Sequence, residues 1–231
     1  FRHSFPTRRS SDLWKTVAPH VDLCAPDIYD SGFKEWIAQY ATKDNVLFIP
    51  ESRCCVNSGV RALYTFGEYQ ALGFSPFAVD QAPPSDIRQL TAAYGIMRQL
   101  SRLFYGGRHA GITKTWGLLL SQDDRERVIY DRNTAITCRH YFTLPWDPRA
   151  TSGQQWQEGG AIVVRLADDE YLIAGSGVVV SFQTRTEKQQ EDAITTGEDG
   201  FAIAGNNIVE RNGGRRDFFG NRLGIGYVDE V

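Results

Sequence analysis

The sequence predicts an α/β region followed by an all-β region, and three observations carry that reading. Up to about residue 105, short apolar runs alternate with amphipathic helical runs, the pattern of βα units in a parallel sheet. After Gly111 the helical period disappears, and short β-rich runs separated by Gly, Asp and Asn take over. The 231 residues are enough for one large domain or two modest ones, with a sizeable core either way.

Residues 1–13 (FRHSFPTRRSSDL) are basic, serine-rich and aperiodic. They resemble translated adapter sequence and are set aside as a non-native or disordered leader. Without an initiator Met, and with its last residues directly after an apolar run, the chain is expected to be a fragment open at both ends. Residues 21–29 (VDLCAPDIY) read as a strand closed by a turn. Phe33, Trp36, Ile37 and Tyr40 recur at helical spacing over 33–41, with Ser31 as the expected N-cap and Glu35 suited to the dipole. Trp36 lies on the apolar stripe and reads as core.

Residues 46–49 (VLFI) are apolar without a break, as in a strand buried on both faces, and Pro50 should end it because it cannot donate to a ladder. A second helix is expected over 60–72, with Ala62, Leu63, Phe66, Tyr69 and Leu72 inward. Residues 73–80 (GFSPFAVD) read as a third strand. Ser85 caps a third helix that carries Ile87, Leu90, Tyr94, Met97, Leu100 and Phe104 on one stripe and ends at Gly106-Gly107. Strands recur about every 25–28 residues, which suits right-handed parallel units; they fit either the last three units of a barrel or half of a doubly wound sheet.

Seven β-rich runs follow, at 116–121, 125–130, 135–143, 161–166, 171–174, 177–182 and 223–227, with hairpin turns at 131–133 and 168–169. They predict an antiparallel β-sandwich-like domain. Residues 187–207 are polar and read as a long loop with one short strand. The expected boundaries are therefore 1–13 leader, 14–110 α/β part and 111–231 β domain.

A net charge of −3 offers no basic face for nucleic acid or an anionic membrane, and no apolar run approaches a transmembrane length. Cys24, Cys54, Cys55 and Cys138 form no CxxC pair, so neither a zinc site nor a disulfide framework is expected, and Cys24 reads as core. His140 reads as a satisfied histidine among strands, and His109 as an exposed linker residue. Five Trp, ten Tyr and thirteen Phe would suit a sugar-binding cleft as well as a packed core.

The chemistry-bearing positions are strand ends, where α/β sheets and barrels keep their sites. Glu51, Asp80 and Tyr29 close three consecutive βα units and would open on one face. Retaining glycosidases use a carboxylate nucleophile about 5 Å from a second carboxyl acting as acid and then base. A tyrosine hydroxyl beside the nucleophile would favour its ionised form and orient it. Phe77 could stack on a sugar face, and the turn at 146–149 (WDPR) could approach the same mouth.

VDLCAPDIYDSGFKEWIAQYATKDNVLFIPES, followed by GEYQALGFSPFAVD, resembles the C-terminal part of the catalytic barrel of bacterial glycoside hydrolase family 35 β-galactosidases. Residues 136–149 and 158–182 resemble the β domain of unknown function that follows that barrel. The resemblance covers about residues 14–185 and implies that the α/β part is the last three βα units of a TIM (β/α)8 barrel. It implies that Glu51, in its FIPE context, is the nucleophile of a retaining β-galactosidase. Tyr29, Phe77 and Asp80 would then line the substrate site. The acid/base glutamate of that family ends the fourth barrel strand, which would precede Phe1, so no residue of this chain takes that role and the fragment alone should be inactive. The implied substrate is a terminal β-galactoside, such as a plant oligosaccharide; no cofactor is implied, and a polymeric substrate fits a periplasmic or secreted protein. A related enzyme for another sugar, or a non-catalytic carbohydrate-binding module, remains the alternative.

Overall fold

The computed structural model describes residues 14, 16–105, 114–143, 156–168, 170–195 and 224–229, with 102–105, 191, 193–195 and 224–229 as backbone only. The expected leader at 1–13, Gly106-Gly107, His109 and the turn at 146–149 lie outside the described residues. Three short parallel strands, β1 (Asp27–Ile28), β2 (Phe48–Ser52) and β3 (Gly73–Pro76), pair in that order. A helix follows each: α1 (Phe33–Tyr40), α2 (Ser58–Tyr69) and α3 (Pro84–Tyr105).

Local chemistry moves several of these bounds from their expected places. β1 is shorter than residues 21–29 because the Asn45 side chain replaces a ladder at Cys24. Asn45 Oδ1 accepts from the Cys24 N–H at 2.8 Å, and its amide donates to the carbonyls of Cys24 and Tyr40 at 3.0 and 2.7 Å. β2 runs through Pro50 rather than ending there, and Val46 lies outside it, 54% exposed. Ile49 pairs with Phe74 and Ser52 with Pro76, so three steps on β2 match two on β3. Pro50 sits in that bulge, where a missing N–H costs no regular ladder bond. β3 stops at Pro76, not at Asp80, because Ala78 turns the chain with a φ of 54°. The N-cap of α1 is Gly32 rather than Ser31; its φ of 81° is left-handed, which glycine adopts without a Cβ penalty. Along α3 the buried stripe is Leu90, Ala93, Ile96 and Leu100, while the exposed Tyr94 donates its hydroxyl to the Phe74 carbonyl.

The remaining strands form two antiparallel sheets. One is ordered β10-β8-β7-β4, from β4 (Lys114–Leu120), β7 (Gly159–Ala167), β8 (Glu170–Ser176) and β10 (Gly224–Asp229). The other is β5-β6-β9, from β5 (Glu126–Asp131), β6 (Thr134–His140) and β9 (Val178–Thr184). The chain is thus a mixed helix-and-sheet protein with antiparallel sheets, and each of the seven β-rich runs contains a strand. Side chains alternate across β4: Trp116, Leu118 and Leu120 face one core with Ile129, Ile136 and Val180, whereas Leu119 joins Ile162, Val164 and the helices in the other. Strands β4, β7 and β8 of that sheet are therefore buried on both faces.

That burial changes the reading of α2, expected to hide one face. It is wedged between α3 and the four-stranded sheet, and Ser58, Gly59, Val60, Ala62, Leu63, Tyr64, Thr65 and Gly67 are all buried. Residues 187–207 were expected to be a long loop with one short strand; α4 spans Arg185–Thr195 instead, and 196–207 lie outside the described residues. A capping box starts it: the Glu187 carboxylate accepts from the Thr184 N–H at 3.1 Å, and Thr184 Oγ1 accepts from the Glu187 N–H at 3.2 Å.

Candidate active site

The bulge in β2 decides where Glu51 points. Phe74 and Pro76 are two apart on β3 and share its buried face, where the Phe74 ring meets Phe33 edge-on at 6.1 Å. Their partners Ile49 and Ser52 must share that face, which three steps of a regular strand would forbid. The extra residue turns Glu51 to the opposite face, away from the helices. On β1 the same logic buries Ile28 beside Ser52 and sets Asp27 beside Glu51, its direct partner in the register.

Tyr29, two residues beyond Asp27, lies on that open face. Its hydroxyl donates to Glu51 Oε1 at 2.5 Å. Desolvation, the hydrogen bond to Glu51 and the charge of that carboxylate push the Tyr29 hydroxyl up to about 12. The phenol therefore stays protonated at neutral pH and keeps donating to the carboxylate. Arg53 follows on the same side; its N–H bonds the Ile28 carbonyl at 3.0 Å, and its guanidinium Nε and Nη2 donate to the Tyr29 carbonyl at 3.3 and 3.2 Å.

An open cleft of about 250 Å³ adjoins this face, lined by Tyr29, Arg53, Cys54, Phe77, Ala78, Gln81, Ala82 and Pro83. Phe77 is held there by its N–H on the Ser52 carbonyl at 2.8 Å, with its side chain 58% exposed. The structure thus brings Tyr29 to Glu51 and Phe77 to the adjoining cleft. Asp80 is exposed in the turn after β3 and does not line the cleft. Asp27 and Arg53 escaped the sequence reading; their signal was parity, each being two residues from a predicted site residue on its own strand.

Among these groups Glu51 is the carboxylate that accepts a side-chain hydrogen bond, from the Tyr29 hydroxyl. Burial, then Cys55 and Asp86, push the Cys54 thiol up, so it stays protonated and weakly reactive. All four cysteines are free. Among the described residues no cluster of His, Cys, Asp and Glu is gathered for a metal ion, and no helix is long and apolar enough to cross a membrane. His140 lies far from this chemistry, at the end of β6. It is buried, donates from Nε2 to the Gln157 carbonyl at 2.8 Å and accepts the Phe142 N–H on Nδ1 at 3.3 Å.

Residues 90–213 match the family model described as a domain of unknown function, DUF5597. The chain belongs to the DUF5597 family. No curated protein matches it. The DUF5597 match begins inside α3 and takes in β4 to β9, so Tyr29, Glu51, Arg53 and Phe77 all precede it. The two parts are nevertheless joined through α2. Arg61 pairs with Glu158 at 2.6 and 2.8 Å, and Glu68 pairs with Arg127 at 2.9 and 3.0 Å while accepting the Gly117 N–H at 3.0 Å. The DUF5597 sheet is in this way part of the wall against which α2, the helix directly after the Glu51 strand, is seated.

Proposed function

We propose that this chain carries the nucleophile side of a retaining glycoside hydrolase that releases terminal β-galactose from oligosaccharides. The observation that carries the reading is the bond from the Tyr29 hydroxyl to Glu51 at the carboxyl end of the middle parallel strand. A carboxylate held by a phenol's hydrogen bond is aimed, as attack on an anomeric carbon requires. Glu51 would form the glycosyl-enzyme; a second carboxyl about 5 Å away would protonate the leaving oxygen and then activate water. No residue of this chain is given that second role, since Asp80 stands exposed outside the cleft. The three βα units are read as the end of a (β/α)8 barrel, in keeping with strand-end chemistry on one open face. The likeness of the FIPE and GFSPF segments to glycoside hydrolase family 35 supplies the sugar.

The test is to express the protein from its full coding sequence and treat it with a 2-deoxy-2-fluorogalactoside that traps the glycosyl-enzyme. Mass spectrometry should place the label on the peptide containing Glu51, and Glu51→Gln should lower turnover by roughly a thousand-fold or more while leaving sugar binding in place. A label on another carboxylate would refute the assignment. Sugar binding without turnover or label would identify a carbohydrate-binding module instead.

A further inference from the structure

The cleft beside Glu51 carries a cation that is tied to a backbone carbonyl and paired with no carboxylate among the described residues. Arg61, Arg127, Arg139 and Arg165 each close on a carboxylate outside their own element. Arg53 closes on none among the described residues. It spends Nε and one Nη2 hydrogen on the Tyr29 carbonyl, which fixes the plane of the guanidinium and leaves its remaining N–H groups unspent. Of the groups that line the cleft, Tyr29 and Cys54 are neutral at pH 7, so the guanidinium is its sole full charge. Phe77 supplies an exposed ring on the same cleft, a platform for the apolar face of a sugar. Glu51 does not line the cleft. A sugar attacked by Glu51 would therefore sit beside it, and the next unit of the substrate would occupy it.

We propose that Arg53 makes the leaving-group side of this site selective for a carboxylate, so that the preferred substrates are galactosides of acidic sugars such as uronic or aldonic acids. The proposal rests on the glycosidase reading. A planar guanidinium held by one carbonyl presents parallel donors that a carboxylate accepts in pairs and a hydroxymethyl group does not.

The test compares lactobionate with lactitol, β-galactosides whose open-chain aglycones differ only in a carboxylate against a hydroxymethyl group. Calorimetric affinities for both are measured on the protein expressed from its full coding sequence, with Glu51→Gln as the common background so that neither galactoside is hydrolysed, and the readout is their ratio within each protein. Lactobionate should bind about five-fold tighter or better, with the ratio collapsing toward one in 0.5 M salt. Arg53→Gln, whose amide can still reach the Tyr29 carbonyl, should bring the ratio to one; Arg53→Lys should hold it above one. Equal affinities with Arg53 in place, a ratio untouched by salt, or a preference kept by Arg53→Gln would overturn the proposal while lactitol binding left the glycosidase reading standing. Failure of both ligands to bind would overturn the two together.

Discussion

At the scale of single residues, the chain separates polar groups left on an open face from polar groups consumed by the fold. Tyr29 and Glu51 touch each other on an open face, whereas His140 has both ring nitrogens engaged and rings stacked about it, Trp156 at 4.8 Å and Phe142 at 5.5 Å. Burial, with the charge of Arg125, holds the His140 imidazole below its ordinary value of 6.5, against the opposing hydrogen bond to Gln157. The unfolded chain therefore takes up this proton first as the pH falls. The stabilisation from neutral His140 is complete above about pH 6.5 and is lost progressively below it. Urea midpoints at pH 7.5 and 5.5 check this: the native protein should lose more stability on acidification than His140→Gln. Equal losses would show that protonation of His140 is not linked to unfolding. Glu51 and Tyr29 were legible in the sequence because a strand end can be located from an apolar run and its stop. Arg53 was passed over although its parity with Glu51 was there to read, because its bonds to the Tyr29 carbonyl join two strand ends that are distant in the sequence.

At the scale of elements, the two antiparallel sheets are clamped by a buried ionic knot. Asp131, at the end of β5, accepts from Arg165 of β7 at 2.8 and 3.0 Å and from the Tyr171 hydroxyl of β8 at 3.0 Å. Desolvation and the Asp131 hydrogen bond push the Tyr171 hydroxyl up to about 12, so it remains a donor. Removing the carboxylate takes from Arg165, whose side chain is only 12% exposed, the counter-charge that Asp131 supplies, and breaking a buried pair typically costs ~3–5 kcal/mol. Asp131→Ala should lose about 3 kcal/mol or more in denaturant unfolding, and a loss below about 1 kcal/mol would show that Arg165 finds other partners. The strands themselves were readable from β-rich runs between turn residues, and Arg132, with φ of 51°, marks the hairpin expected at 131–133. Helix α4 was missed although its capping box, Thr184 to Glu187, is written in the sequence. Its high polarity hid the short amphipathic turn behind it.

At the scale of the whole molecule, the boundary expected at residue 110 separates two patterns of sequence but not two cores. One core contains Ile49, Leu63, Leu90 and Ile37 from the α/β part together with Leu119, Ile162, Val164 and Leu172 from the antiparallel sheet. Periodicity reports which face of an element is apolar; it does not report which element will cover that face, so the joint was not legible. The joint is close. A Cβ on Gly117 would lie 2.3 Å from the Tyr64 carbonyl oxygen, and one on Gly67 would lie 2.7 Å from the Trp116 carbonyl oxygen. Helix and strand thus approach at backbone distance, and neither carbonyl can yield without moving its element. Gly117→Val should force α2 off the sheet. Hydrogen exchange read by mass spectrometry should then show peptides from β2 and from β7 losing protection together, because one displaced helix uncovers both. Loss confined to β4, β7 and β8 would mean that the Glu51 strand is held by α1 and α3 alone. Loss shared by both regions would make the DUF5597 sheet a support of the candidate active site, since α2 connects directly to the strand that aims Glu51.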